Sequence, residues 1–497
     1  MKSLILINAR EGSEVRIAIL EKDRDGVDRL EHYFVERAGK ATLVGNVYKG
    51  EVTDVRGALQ AAFVDIGLVK RGFLHVSEIK TERRPTEQRQ IQRLVRQGQS
   101  VLVQVIRDEF GEKGPSLTTN LSIPGRFLVL MPRSSQVVVA KRLLGSRPMA
   151  QLARELQDAA PDMGMIVRTN AESVSPLDVF RDLEVLRQVW DEVLKRSRET
   201  QGVGIVYEEA DFSLRTIREY FDDRIEEIVV DHEPTYRSVV GFFERVMPRY
   251  KDRVRQYTAS SPLFHRYSVE AQVQLLGQKE VSLKSGGNIV IEKTEGMTCV
   301  DVNSERFVRV RDPEELALRT NVEACPEVMR QLRTRDIGGI IVIDFISMRI
   351  ESNRRRIEDD LRRESRRDRN QMTILPMSEF GTIEIARQKV RPSVEVMVNE
   401  PCPACGGSGR RKDAQSIELE IIRMIRSQAE MPDVAWIEVQ AHPDVTRRLE
   451  DRREEFAELE ARHGKRVELV PNERVPMGSA ELAFYNEAGE RIMDVMK

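Results

Sequence analysis

Two apolar runs in this chain each end on an aspartate, and that repeated pattern constrains the fold more than any other feature. The first is "IVIEKTEGMTCVDVNS", which carries Asp301 and Asn303; the second is "GGIIVIDFISM", which carries Asp344. Both runs are β-branched and bounded by glycine, so both read as strands. Alternate side chains of a strand share a face, which puts Val300 and Val302 on one side and Asp301 and Asn303 on the other. If the two strands are neighbours, Asp301 and Asp344 meet. Like charges that close repel unless a cation lies between them. Oxygen donors with no histidine nearby suit Mg2+ or Mn2+, which keep several waters and take one or two protein carboxylates. Such an ion activates water against a phosphodiester. The competing explanation is that each aspartate only caps a strand end. Two of them in similar settings, with Asn303 alongside, favour a site.

The chain has 497 residues, more than one core can serve, so several domains are expected. Net charge is −2, which excludes a uniformly basic nucleic-acid binder and leaves room for a local basic groove. Four cysteines in this length argue for a reducing compartment, and a cytoplasmic location is expected. The opening "MKSLILINAR" is broken by Asn8 and Arg10 and does not read as a signal peptide. No window is apolar enough for a membrane span.

Residues 45–118 are strand-rich and punctuated by glycines such as Gly57 and Gly67, a spacing that suggests a five-stranded barrel. Tyr48, Phe63, Phe73 and His75 lie near Lys49, Lys70, Arg71 and Lys113 in sequence. Aromatics beside cations are what a single-stranded nucleic-acid platform requires, although any one of these rings could instead fill the barrel core. The runs "AFVDIG" and "GFLHVSEI" resemble the S1 RNA-binding domain. That resemblance implies that Phe63 and Phe73 stack on bases and that Lys113 contacts phosphate.

"CPACGG" places Cys402 and Cys405 in a Pro/Gly-rich break. Structural zinc takes four ligands. Only Cys299 and Cys325 remain, each alone in a strand or helix pattern. A redox dithiol and a zinc shared between two chains both stay open; the break, rather than a helix start, favours the shared zinc. After it, a helix (415–429), a strand, a helix (443–462) and a strand suggest a small α/β unit.

The stretches "VSLKSGGNIVIEKTEGMTCVDVNS" and "LRTNVEACPEVMRQLRTRDIGGIIVIDFISM" resemble the catalytic region of the ribonuclease E/G family. The resemblance implies that Asp301 and Asp344 bind Mg2+ with Asn303 in support, and that Cys402 and Cys405 form an interchain zinc link. Ser347 departs from an acidic residue common in that family. "RTN" matches a family element that reads an RNA 5′-monophosphate, which implies a sensor at Arg168 and Thr169; "RFLVLMP" and Lys141-Arg142 fall in the same matched region.

The implied fold is multidomain α+β. An S1/OB barrel (42–125) is inserted in an RNase-H-like subdomain (1–41 and 214–277). A 5′-sensor subdomain (126–213), a DNase-I-like catalytic subdomain (278–398), a zinc link (399–412) and a small dimerisation domain (413–497) follow. The chain stops at Lys497 without the long scaffold of the family's E branch, which points to the G branch. The implied activity is Mg2+-dependent endonucleolytic cleavage of single-stranded RNA, leaving 5′-phosphate and 3′-hydroxyl ends. It would be stimulated by a 5′-monophosphate and serve rRNA processing and mRNA decay. The implied assembly is a homodimer, with pairing of dimers into tetramers left open. The alternatives are a non-catalytic S1-type RNA-binding protein dimerised through zinc, and a CxxC oxidoreductase. A charged helix is expected after Asp344, with Glu358–Arg362 and Asp359–Arg363 pairs; most of it reads as a solvated, salt-bridged face, with a few of Arg366, Arg367 and Arg369 left to border the RNA path.

Overall fold

The computed structural model describes residues 3–496 except 24, 39–41, 81–89, 110–112, 305–311, 390, 392, 429 and 430. Two compact units divide the chain, Met1–Met397 and Val398–Lys497.

In the first unit, the N-terminal strands Ser3–Asn8, Glu14–Lys22 and Asp28–Arg37 are too few to close a core by themselves. They form an antiparallel meander whose first strand pairs in parallel with Ile225–Val230, and Val254–Gln256 completes the sheet. The chain between these two halves contains a closed barrel. Its strands are Val47–Arg56, Ala61–Asp65, Gly72–His75, Ser116–Thr118 and Ser100–Arg107, with the first and last paired to shut it. Strand Gly204–Tyr207 adds to the first of them as a sixth strand of the same sheet. A four-stranded sheet follows, ordered Val137–Val139, Gly164–Val167, Leu128–Met131 and Ile123–Pro124, and helix Pro176–Glu199 packs on it.

The sheet that carries the two aspartates has six strands: Glu280–Ser282, Asn288–Lys293, Met297–Asn303, Gly339–Asp344, Thr382–Arg387 and Met372–Ile374. Its inner face packs Val300, Val302, Ile341, Ile343, Ile383 and Ile385 into one core with helices Pro313–Thr334 and Glu351–Ser365. Among the described residues these helices pack on the apolar face of the strands, as period-two alternation dictates.

The second unit has helix Ala414–Gln428 and a four-stranded sheet, Arg466–Pro471, Trp436–Ala441, Ala480–Tyr485 and Arg491–Met496. The expected single helix over 443–462 is two helices, Pro443–Glu450 and Arg453–His463, with residues 451–452 between them. The last two strands form a hairpin that the sequence reading did not anticipate. No helix among the described residues is long and apolar enough to cross a membrane.

Candidate active site and RNA-binding surfaces

Strand Met297–Asn303 runs parallel to Gly339–Asp344, and the register places Asp301 directly beside Asp344. Val300 and Val302 are 1% and 4% exposed, whereas both aspartates face solvent from the uncovered side. Asn303 Nδ2 donates to Asp301 Oδ2 at 2.8 Å, which fixes the carboxylate's orientation. Glu384 is exposed on the same face, in register with Val342 two residues before Asp344.

The supports for this rim were not read from the sequence. Asn321, fully buried on helix Pro313–Thr334, donates to the Ile346 carbonyl at 2.8 Å and accepts from the Ile346 N–H at 3.1 Å. It thereby clamps the backbone two residues past Asp344. An asparagine at helical spacing from Ala317, Ala324, Cys325 and Val328 was the available signal. Gly287 is a second support: a Cβ there would lie 2.6 Å from the Asn303 carbonyl, so only glycine lets that strand approach.

The donor chemistry fits a hard divalent ion. Two register-paired, solvent-facing carboxylates offer oxygen ligands only, leaving the remaining positions to water and substrate. Among the described residues no group of three or more His, Cys, Asp or Glu gathers anywhere, so the site has no preformed cage.

On the barrel, Phe63 and Phe73 are cross-strand partners with ring centroids 5.9 Å apart, and His75 stacks 6.4 Å from Phe73. All three rings are half-buried on the outer surface, while Ala62, Val64 and Leu74 between them fill the core. Lys113 is exposed, and Pro115 accepts a hydrogen bond from the Phe73 N–H at 2.8 Å, which brings Lys113 to the Phe73 end of this aromatic row. Tyr48 corrects the sequence reading: it points into the barrel core. Lys49 is also withdrawn from the platform, because its Nζ donates to the Ser197 and Thr200 carbonyls at 3.0 and 2.7 Å.

Arg168 and Thr169 lie together on a cleft of about 860 Å3, whose wall also carries Arg215, Arg218, Glu219 and Arg391. The Arg168 guanidinium donates to the Gly125 carbonyl at 2.9 Å and forms an ion pair with Glu219. Burial pushes the Glu219 carboxyl up, but Arg168 and its hydrogen bond outweigh this and hold it below the ordinary carboxylate value. Arg168 is therefore paired, with Thr169 exposed beside it. Lys141 and Arg142 sit on an exposed turn and do not line the cleft.

In the second unit Cys402 is exposed and Cys405 half-buried. The Gly409 N–H donates to Cys405 Sγ at 3.3 Å and, with the Gly407 N–H, lowers that thiol's pKa below its ordinary value. Helix Ala414–Gln428 begins nine residues after Cys405, so the pair does not sit at a helix start. Cys325 is buried and its thiol is pushed up by burial; Cys299 is exposed on the open face beside Asp301.

The helix after Asp344 forms as expected, with Glu358–Arg362 at 2.9 Å. Asp359 pairs with Arg362 rather than Arg363, which instead meets Asp360. Two of the three arginines after this helix have partners within the protein. Arg367 pairs with Glu21, and Arg369 packs over the Tyr220 ring at 4.8 Å beside Asp222. Arg366 is exposed.

A barrel with an outer aromatic row and a sheet rim with paired carboxylates are the features expected of a protein that binds nucleic acid and acts on phosphodiesters. Comparison with known proteins gives the particular family. The ribonuclease E/G family description matches residues 122–390, the S1 RNA-binding domain residues 43–120, and the thioredoxin-like domain of ribonucleases E and G residues 401–484. Ribonuclease G of Salmonella typhimurium is 36% identical over 479 residues, covering 94% of this chain and 97% of that protein. Ribonuclease G of Haemophilus influenzae is 34% identical, covering 96% of each. Ribonuclease E of Escherichia coli is 34% identical over 95% of this chain and 45% of its own length. The chain belongs to the ribonuclease E/G family, and its enzyme class is that of an endoribonuclease.

Proposed function

We propose that this enzyme is a Mg2+-dependent endoribonuclease that cuts single-stranded RNA with stimulation by a 5′-monophosphate. The observation that carries the reading is the register pairing of Asp301 with Asp344 on an open sheet face, with Asn303 orienting Asp301. Mg2+ held by these two carboxylates would supply a Lewis acid for the scissile phosphate and a lowered pKa for the attacking water. The chain's own contribution is placement. Asn321 fixes the backbone behind Asp344, Gly287 admits the Asn303 strand, and the helices behind the sheet keep the carboxylates at a rigid rim. Phe63 and Phe73 hold bases by stacking and Lys113 holds phosphate, which delivers an extended strand rather than a duplex.

Arg168 and Thr169 form the 5′-phosphate sensor in this reading. A terminal phosphate competes with Glu219 for the guanidinium; the neighbouring Arg215 and Arg218 are themselves paired with Glu36 and Glu209 on the same wall. Cys402 and Cys405 provide half of a tetrahedral zinc site, which a second chain completes as a homodimer; pairing of dimers would give a tetramer. The products are a 5′-phosphate and a 3′-hydroxyl, and the setting is rRNA processing and mRNA decay in the cytoplasm. Cleavage of matched 5′-monophosphate and 5′-hydroxyl oligoribonucleotides, with and without Mg2+, tests the reading. It predicts metal-dependent cutting that is faster on the monophosphate; equal rates on both ends would remove the sensor.

A further inference from the structure

Phe380 is 86% exposed, which is unusual for a phenylalanine that touches no apolar core. It sits in a tight turn that is unusually well tied. The Ser378 N–H donates to the Thr382 carbonyl at 2.8 Å, the Gly381 N–H to the Ser378 carbonyl at 3.1 Å, and the two hydroxyls of Ser378 and Thr382 meet at 2.7 Å. Gly381 takes φ +90°, a conformation other residues resist, so the turn's shape is specified by sequence. The Phe345 N–H donates to the Gly381 carbonyl at 3.3 Å, which ties the turn to the residue after Asp344. Thr382 is in direct register with Asp344. Phe380 is thus held at the carboxylate end of the sheet, two residues from the strand position beside Asp344.

A rigid mount and an unburied ring together suit a ligand with a π-face. The ring contributes nothing to folding, and the fixed turn spares the ordering cost of binding. We propose that Phe380 stacks on a nucleobase adjacent to the scissile linkage and so positions the phosphate at Asp301 and Asp344. This rests on the endoribonuclease reading above and adds to it a stacking residue at the catalytic rim, apart from the aromatic row of the barrel. The occupant is an unpaired base of the substrate strand, because a base in a duplex has its faces covered by its neighbours.

The test is single-turnover cleavage of a single-site RNA in which each base around the cut is replaced, one at a time, by an abasic ribose. Wild-type enzyme should lose roughly ten- to hundredfold in rate at one abasic position next to the cut. Phe380→Ala should lose a similar factor on intact RNA and little more on that abasic RNA. Phe380→Trp should restore cleavage and Phe380→Leu should not. Thermal stability should be unchanged, because the ring is outside the core. The proposal is overturned if Phe380→Ala cuts intact RNA at the wild-type rate, or if the abasic penalty persists in full in that variant. It is equally overturned if sedimentation shows that the loss follows altered subunit association. A wild-type enzyme that fails to cut the RNA at all would refute the cleavage reading and Phe380's role with it.

Discussion

Neutralising either aspartate of the proposed metal site should stabilise the metal-free protein while abolishing its activity. Asp301 and Asp344 are register partners on adjacent parallel strands, so their backbones are about 4.8 Å apart. Two unit charges at that spacing repel by about 0.9 kcal/mol in a water-like dielectric and about 3.5 kcal/mol at an effective value of 20. Both carboxylates are exposed, which selects the lower end, so the relief in Asp301→Asn is about 1 kcal/mol. The substitution keeps the side chain's shape and an oxygen for the Asn303 bond. For a unit of this size the melting temperature should rise by roughly 1–2 °C at low salt in the presence of a chelator. Mg2+ should invert the order. At 100 times its dissociation constant it adds about 2.7 kcal/mol to a wild-type protein that binds it only when folded, and little to the variant. Calorimetry of wild type, Asp301→Asn and Asp344→Asn, with and without Mg2+, reads all of this. A metal-free variant less stable than wild type, or one that gains as much from Mg2+, would refute the shared-ion account.

Arg387 is 3% exposed and bridges Asp336 at 2.9 Å and Asp368 at 3.0 Å; Arg387→Ala leaves two buried carboxylates uncompensated and should cost about 3–5 kcal/mol in denaturant unfolding. Arg168→Ala should bring the rate ratio of 5′-monophosphate over 5′-hydroxyl RNA towards one, whereas Glu219→Gln, which frees the guanidinium, should tighten binding of the monophosphate end. Because the Glu219 carboxyl is held below its ordinary value of 4.5, its contribution to stability is present above that pH and is lost as pH falls through the lower folded value; acid unfolding of Glu219→Gln should lack that component. Metal analysis should find about half a zinc per chain, with chelation giving monomers; one zinc per chain would contradict the shared link.

Much of the face that carries the paired aspartates was legible because strand alternation is a local rule. Val300 and Val302 had to be inside if Asp301 and Asn303 were outside, and the structure agrees. That Asp344 stands beside Asp301 is a matter of register across a helical crossover, which periodicity cannot supply. The same limit explains Tyr48. Alternation separates the two faces of a barrel strand but does not say which is inner, and a ring near lysines in sequence proved to be core. Arg367 and Arg369 read as a solvated basic run, yet each meets a partner hundreds or scores of residues away, at Glu21 and Tyr220. Asn321 and Glu219 were missed for the same reason: the groups they hold, at Ile346 and Arg168, are non-local. Phe380 was invisible because a lone aromatic between Glu379 and Gly381 carries no sign of its exposure until the turn is placed.

The most direct test of the central claim is cleavage itself. Single-turnover cutting of a 5′-monophosphorylated, single-stranded RNA should follow a saturable Mg2+ dependence in the wild type and fall by at least about a thousandfold in Asp301→Asn, Asp344→Asn and the double variant alike, since removing either member of a unit costs nearly as much as removing both. Variants that cut at the wild-type rate, or losses that multiply in the double variant, would contradict a single centre built from these two carboxylates.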